Sequence, residues 1–227
     1  MKRTIIGRLT LFGCCLALVA PMAAALATGK SGVKAQEPQD QDPQPTFPTE
    51  YFLWGANQNQ RITTRPVLNF SDHSVVPATG TILVRTRDNV FATMYTAGLT
   101  PGTAVTFWFG IFNNPHNCAT RPCTPADLSN PAVAGSIVNA GGRIIGADGA
   151  ATYGAFRKVG DTTGVFSGAG TGQGLLNPMR AEIHLVTRTH GPAIMNDPVM
   201  LSQQLSLFNG GCPPNTCANL QASIHQP

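Results

Sequence analysis

The residues best placed to do chemistry in this 227-residue chain are its five histidines, His73, His116, His184, His190 and His225. One of them sits in a telling context, the run Arg180-Ala181-Glu182-Ile183-His184-Leu185-Val186. If Ala181, Ile183 and Leu185 face a core, strand alternation sends Glu182 and His184 together to the outer face, outside the packed interior. His190 opens the turn His190-Gly191-Pro192 just beyond, and His225 ends the last apolar run. Glu182, His184, His190 and His225 are the candidate ligands for a copper or zinc ion. The competing reading is an ordinary solvated Glu–His pair, because two sure ligands make a weak site where zinc wants three or four.

Cysteine is the other reactive type. Cys14 and Cys15 lie in the N-terminal apolar segment, which leaves Cys118 with Cys123 and Cys212 with Cys217, each pair spaced C-x4-C. In an exported chain disulfides are the default, and four cysteines allow three pairings. Pro122, Pro213 and Pro214 bend each short segment back on itself and favour two local loops. Each such loop contributes about 2 kcal/mol in the chain-entropy model, against nearly 5 for a bridge that closes the long loop, so crossed pairing stays open. A four-thiolate zinc site is an alternative that export argues against, and a redox role is weaker still, since the catalytic C-x-x-C spacing and its helix context are absent.

Other chemistry is missing its signature. Gly164-Val165-Phe166-Ser167-Gly168 has its serine one place off the hydrolase elbow, and H-E-x-x-H and calcium-loop patterns are absent. The few acidic residues sit mostly in turn contexts, where Asp bonds backbone, and no glycosidase pair is marked. Trp108, Trp54 and Tyr51 could stack on a ligand, with packing of amphipathic aromatics as the plainer reading. No catalytic residue and no cofactor is expected.

The elements that must carry these residues begin after a leader. Lys2, Arg3 and Arg8 precede an apolar stretch from Leu9 to Ala20 and a small-x-small site at Ala25-Leu26-Ala27, the three parts of a secretory signal spanning 1–27. Removal of that leader takes the 15 basic residues to 12 against 11 acidic, so the formal charge falls from +4 to +1. With no basic stripe interleaved with aromatics, nucleic-acid binding is not expected. No transmembrane segment is expected after cleavage either, which places the mature chain in the periplasm or outside the cell. Residues 28–50 are rich in Pro and Gln and read as a disordered tether.

From residue 51 to 227 the texture is Val, Ile, Thr and Phe runs split by Gly, Pro and Asn. This pattern predicts a single all-β domain, an antiparallel β-sandwich of Greek-key or immunoglobulin/superoxide-dismutase-like form with about eight strands. Strands are expected over 81–87, 90–97, 104–112, 136–139, 143–145, 150–157, 180–189 and 219–225. Asp148-Gly149 reads as a hairpin turn, the glycine run from Gly168 to Gly174 as a mobile loop, and 198–208 as either strand or helical turn. The 104–112 segment is apolar on both faces, as a central strand is.

Ala97-Gly98-Leu99-Thr100-Pro101-Gly102-Thr103-Ala104-Val105-Thr106, with Ala181-Glu182-Ile183-His184 and His190-Gly191-Pro192, resembles chordin-type CHRD domains over residues 81–225. Phe112-Asn113-Asn114-Pro115 before a cysteine also resembles secreted bacterial proteins. The resemblance implies an extracellular β-sandwich akin in architecture to copper-zinc superoxide dismutase. That family's strand often reads alanine-histidine-isoleucine-histidine, whereas Glu182 takes the first histidine's place here. The leading expectation is a secreted, non-catalytic module that binds an envelope or protein partner. The alternative is a periplasmic copper- or zinc-binding protein, or a metal-dependent enzyme, that uses His184 and its neighbours.

Overall fold

The computed structural model describes residues 59–227. The leader and the tether lie outside that range, as do Tyr51 and Trp54. Ten strands are present among the described residues: β1 (Arg61–Arg65), β2 (Leu68–Asn69), β3 (Gly80–Arg85), β4 (Asn89–Thr96), β5 (Thr103–Phe112), β6 (Gly135–Ile144), β7 (Ala151–Lys158), β8 (Val165–Gly170), β9 (Glu182–Pro192) and β10 (Ala218–His225). They form two antiparallel sheets, one ordered β1-β3-β4-β7 and the other β2-β10-β9-β5-β6-β8. The all-β sandwich is shown.

The core lies between the sheets. Strand β5 is buried along its whole length, and its odd residues Val105, Phe107, Phe109 and Ile111 face Leu83, Val90 and Met94 across the gap, joined by Ile183 and Leu185 of β9. Each large apolar side chain fully buried there stabilises by about 1.5–3 kcal/mol. The even residues of β5 and β9 point the other way, out of the six-stranded sheet.

Several local expectations are corrected. Asp148-Gly149 does not close a hairpin, because β6 and β7 belong to different sheets. Gly149 instead receives the Leu99 amide at 3.0 Å and packs so closely that a Cβ there would meet the Leu99 carbonyl at 2.7 Å. The crossing at 97–102 and the crossing at 145–150 run side by side between the sheets, which is what this stretch of the resemblance motif builds. The two short strands expected at 136–139 and 143–145 are one strand, β6, interrupted by a register shift against Phe107/Trp108. Gly141, at φ +128, absorbs it. The start of the supposed mobile glycine loop is strand β8, paired to β6 at Ser136–Gly170.

Two segments cover the outer face of the six-stranded sheet, one at each end. After β5 the chain makes short 3-10 turns across 115–133, where Phe112, Cys123, Leu128 and Val133 form a second small core. Asn113 is buried and fastens this excursion, donating to the Ala134 and Gly174 carbonyls and accepting from the Leu176 amide. At the other end helix α1 (Pro198–Gln204) starts on an Asp197 cap that accepts from the Val199 and Met200 amides. A Cβ on Gly142 would strike the Leu205 carbonyl at 2.3 Å, so the glycine lets the end of this helix sit directly on β6.

Candidate functional site

The four cysteines pair locally, Cys118–Cys123 within the first covering segment and Cys212–Cys217 within the second. Between these two stapled segments the outer face of the sheet is left open as a cleft of about 470 Å³. Its floor is Trp108, Gly110 and Phe112 from β5, His184 and Val186 from β9, and Ala222 and Ile224 from β10. One wall is Pro122–Pro125 with Leu128, and another is Leu68 of edge strand β2 and the Phe70 that follows it. Phe208 closes the far end. Gly110 deepens the floor, since a Cβ there would touch the His184 Cβ at 3.3 Å.

The lining is held rigidly. Trp108 is 3 % exposed. Its ring meets Phe208 edge-on at 5.2 Å, and Phe208 is itself stacked on Phe166 and covered by the Arg188 guanidinium. Arg188 also donates through Nε to the Phe208 carbonyl at 2.8 Å. The Trp108 indole N–H is taken by Thr106 Oγ1, so the ring offers the cleft its apolar face.

Glu182 and His184 do share the outer face of β9, but the expectation that they lie outside the packed interior is overturned. Glu182 is 1 % and His184 8 % exposed, because the first covering segment folds over them. Glu182 Oε1 accepts from the Cys123 amide at 2.7 Å and from His184 Nε2 at 2.8 Å, so a carboxylate buried at the cleft margin has charge-assisted partners. Phe112 packs on the imidazole at 4.8 Å. No described residue hydrogen-bonds His184 Nδ1, and His184 lines the cleft.

The four histidine and glutamate candidates are not brought together. His190 lies within β9, not in a turn beyond it, and six residues along a strand is roughly 20 Å from His184. The register sets Ile224, not His225, opposite His184. His225 therefore points into the inter-sheet space, where its Nδ1 meets Thr63 Oγ1 at 2.7 Å and its Nε2 meets Thr81 Oγ1 at 2.9 Å. Both ring nitrogens are occupied, and burial together with Arg85 pushes its pKa down to about 3. His190 is fully buried at the second disulfide, and burial lowers its pKa as well.

The group of metal-ligating residues that does converge among the described residues is His190 with Cys212 and Cys217. The sequence reading missed both this trio and the cleft. Its available signal for the cleft was β5 itself, whose outward positions Trp108 and Phe112 are aromatic where a solvated face would be polar. No family model, curated protein or solved structure matches the chain.

Proposed function

We propose that the chain is an exported, non-catalytic binding module whose β-sandwich holds a small apolar ligand in the cleft between its two disulfide-stapled segments. The observation that carries this reading is the cleft's composition: a mostly apolar concave surface of about 470 Å³ on a sheet, with His184 at its floor and His73 also in its lining. Sites for small molecules have this size and this balance of many apolar contacts with few polar ones. His184 Nδ1 supplies a polar contact at the floor, and Glu182 holds the ring so that this nitrogen stays available. Export is supported by the three-part leader and by two disulfides, which persist in oxidising compartments. The resemblance to extracellular chordin-type domains points the same way. No helix among the described residues is long and apolar enough to cross a membrane.

Binding is testable with N-phenyl-1-naphthylamine as an apolar fluorescent probe on a Trp54→Phe background, in which Trp108 is the remaining tryptophan. The probe is expected to bind at one equivalent, quench Trp108, and weaken at least tenfold on Ala222→Phe, which fills the floor from the β10 side. Unchanged affinity in that variant would remove the cleft from consideration. Export is tested separately. Mass spectrometry of protein recovered outside the cytoplasm is expected to show a chain beginning near Thr28, and an intact Met1 there would overturn it.

A further inference from the structure

At the α1 end of β9 four donor atoms meet. His190 Nδ1, Cys212 Sγ and Cys217 Sγ lie within 4.8 Å of one another, and Nδ1 is 3.3 Å from Cys217 Sγ. The Gly210 carbonyl oxygen is 2.8 Å from Nδ1 and 3.8 and 3.9 Å from the two sulfurs. As long as the sulfurs are joined they carry no thiolate charge and hold no cation. We infer that reduction of Cys212–Cys217 converts this cluster into a site for zinc or copper(I), so that the C-x4-C pair alternates between a covalent bridge and a metal centre.

The ligand chemistry suits those ions. Two thiolates and an imidazole are the donor set that soft or borderline cations select, and a carbonyl oxygen at the fourth corner completes a tetrahedron. With zinc–sulfur bonds of about 2.3 Å the two sulfurs sit about 3.8 Å apart. Cys212 and Cys217 are half-buried in a short loop, so side-chain rotation can supply that separation without moving β9 or β10.

The groups behind His190 serve either state. In the bridged form Nδ1–H donates to the Gly210 carbonyl, and Nε2 accepts from Thr106 Oγ1 at 2.8 Å. With a metal on Nδ1 the proton belongs on Nε2, which then donates to Thr106 Oγ1, while the threonine hydrogen turns to the Arg188 carbonyl 3.4 Å away. A buried partner that can accept or donate in this way fixes a ligating imidazole in its tautomer.

The conversion balances with a dithiol as reductant. One thiolate of the dithiol attacks a sulfur of the bridge, forming a mixed disulfide and releasing the other cysteine. The second thiol then attacks its partner, leaves as the cyclic disulfide and releases the second cysteine. Two electrons and two protons pass to the protein, and the cation afterwards displaces both thiol protons to solvent.

Cobalt(II) is a direct probe, because thiolate ligation gives it an intense near-ultraviolet charge-transfer band. Full-length protein reduced anaerobically with a phosphine is expected to bind one cobalt at this pair and to release it to zinc, while oxidised protein shows no such band. Cys217→Ser is expected to abolish the band of this site, and His190→Gln to weaken binding at least tenfold. Cys217→Ser leaves His190 with its hydrogen bonds to Gly210 and Thr106 and keeps the test open if His190→Gln does not fold. Absence of a one-equivalent site in the reduced protein overturns the inference. So does unchanged binding in Cys212→Ser/Cys217→Ser protein, which would assign the metal to Cys118 and Cys123 or to Cys14 and Cys15, or undiminished affinity in folded His190→Gln.

Discussion

Arg85→Met is expected to destabilise the domain by about 3 kcal/mol or more, the largest single effect among these residues. Arg85 is fully buried at the end of β3. Its guanidinium donates to the carbonyls of Pro178 and Ala181, just before β9, and to the carbonyl of His225, at the end of β10. One side chain thereby ties the four-stranded sheet to two strands of the other. Methionine keeps most of the volume but leaves three buried carbonyls without those donors, at about 1–3 kcal/mol for each group left unsatisfied. A counter-effect exists: desolvation brings the Arg85 pKa down to about 10, and no described carboxylate hydrogen-bonds it, so removing a buried charge returns part of the cost. The orphaned carbonyls outweigh it, because they lie where the two sheets close and water has no ready access. Urea unfolding at constant slope measures the difference, and a loss below about 1 kcal/mol would show that the carbonyls find other partners.

Acid is expected to weaken the fold as pH falls from about 6.5 toward 5, above the range in which Asp72, Asp127 and Asp161 take up protons. The folded-state pKa of His225 is depressed to about 3 by burial first and by Arg85 next, whereas the unfolded histidine titrates near 6.5. Between those values the unfolded chain binds more protons than the folded one, so stability is fully present above about pH 6.5 and is lost as pH falls toward the folded value. At about 1.4 kcal/mol per pH unit the loss reaches about 2 kcal/mol by pH 5. His190, also lowered by burial, acts in the same direction. Asp72, Asp127 and Asp161 are held below the usual carboxylate range, in each case chiefly by backbone amides. Their contributions disappear only below about pH 4 and leave the higher window to the histidines. The measurement is the difference in unfolding free energy between pH 7 and pH 5, for the parent and for His225→Gln. A parent equally stable at both values defeats the prediction, and the variant is expected to show at most half the parent's difference.

What the amino-acid sequence disclosed follows the strength of side-chain patterning. Strands β3, β4, β5, β7, β9 and β10 announce themselves because alternating or continuous apolar residues demand a sheet with one or two covered faces. Strand β8 does not. Its Val165-Phe166-Ser167-Gly168-Ala169-Gly170 has little side-chain period, and backbone pairing to β6 makes it a strand. The placement of Ala181, Ile183 and Leu185 in the core, with Glu182 and His184 opposite, was legible from alternation alone. Their burial was not, since it depends on residues 115–133, whose short turns carry no period. His225 shows how narrow the margin is: with side chains alternating in twos, a register one residue different carried it to the opposite face. The cleft was illegible for the same reason as the burial, because its walls are irregular segments whose positions are tertiary facts.

The pairing of the chain's ends has a kinetic consequence. Strand β2 joins its sheet through β10, and Thr63 reaches His225 across 162 residues of sequence. The six-stranded sheet thus lacks the neighbour that joins β2 to β9 until Ala218–His225 are available, and contacts of such long range form late and slowly. During synthesis from the N-terminus the four-stranded sheet and strands β5, β6, β8 and β9 are complete before β10 is made, and the six-stranded sheet closes last. A truncation ending before Ala218 should leave β2 and β9 unjoined indefinitely.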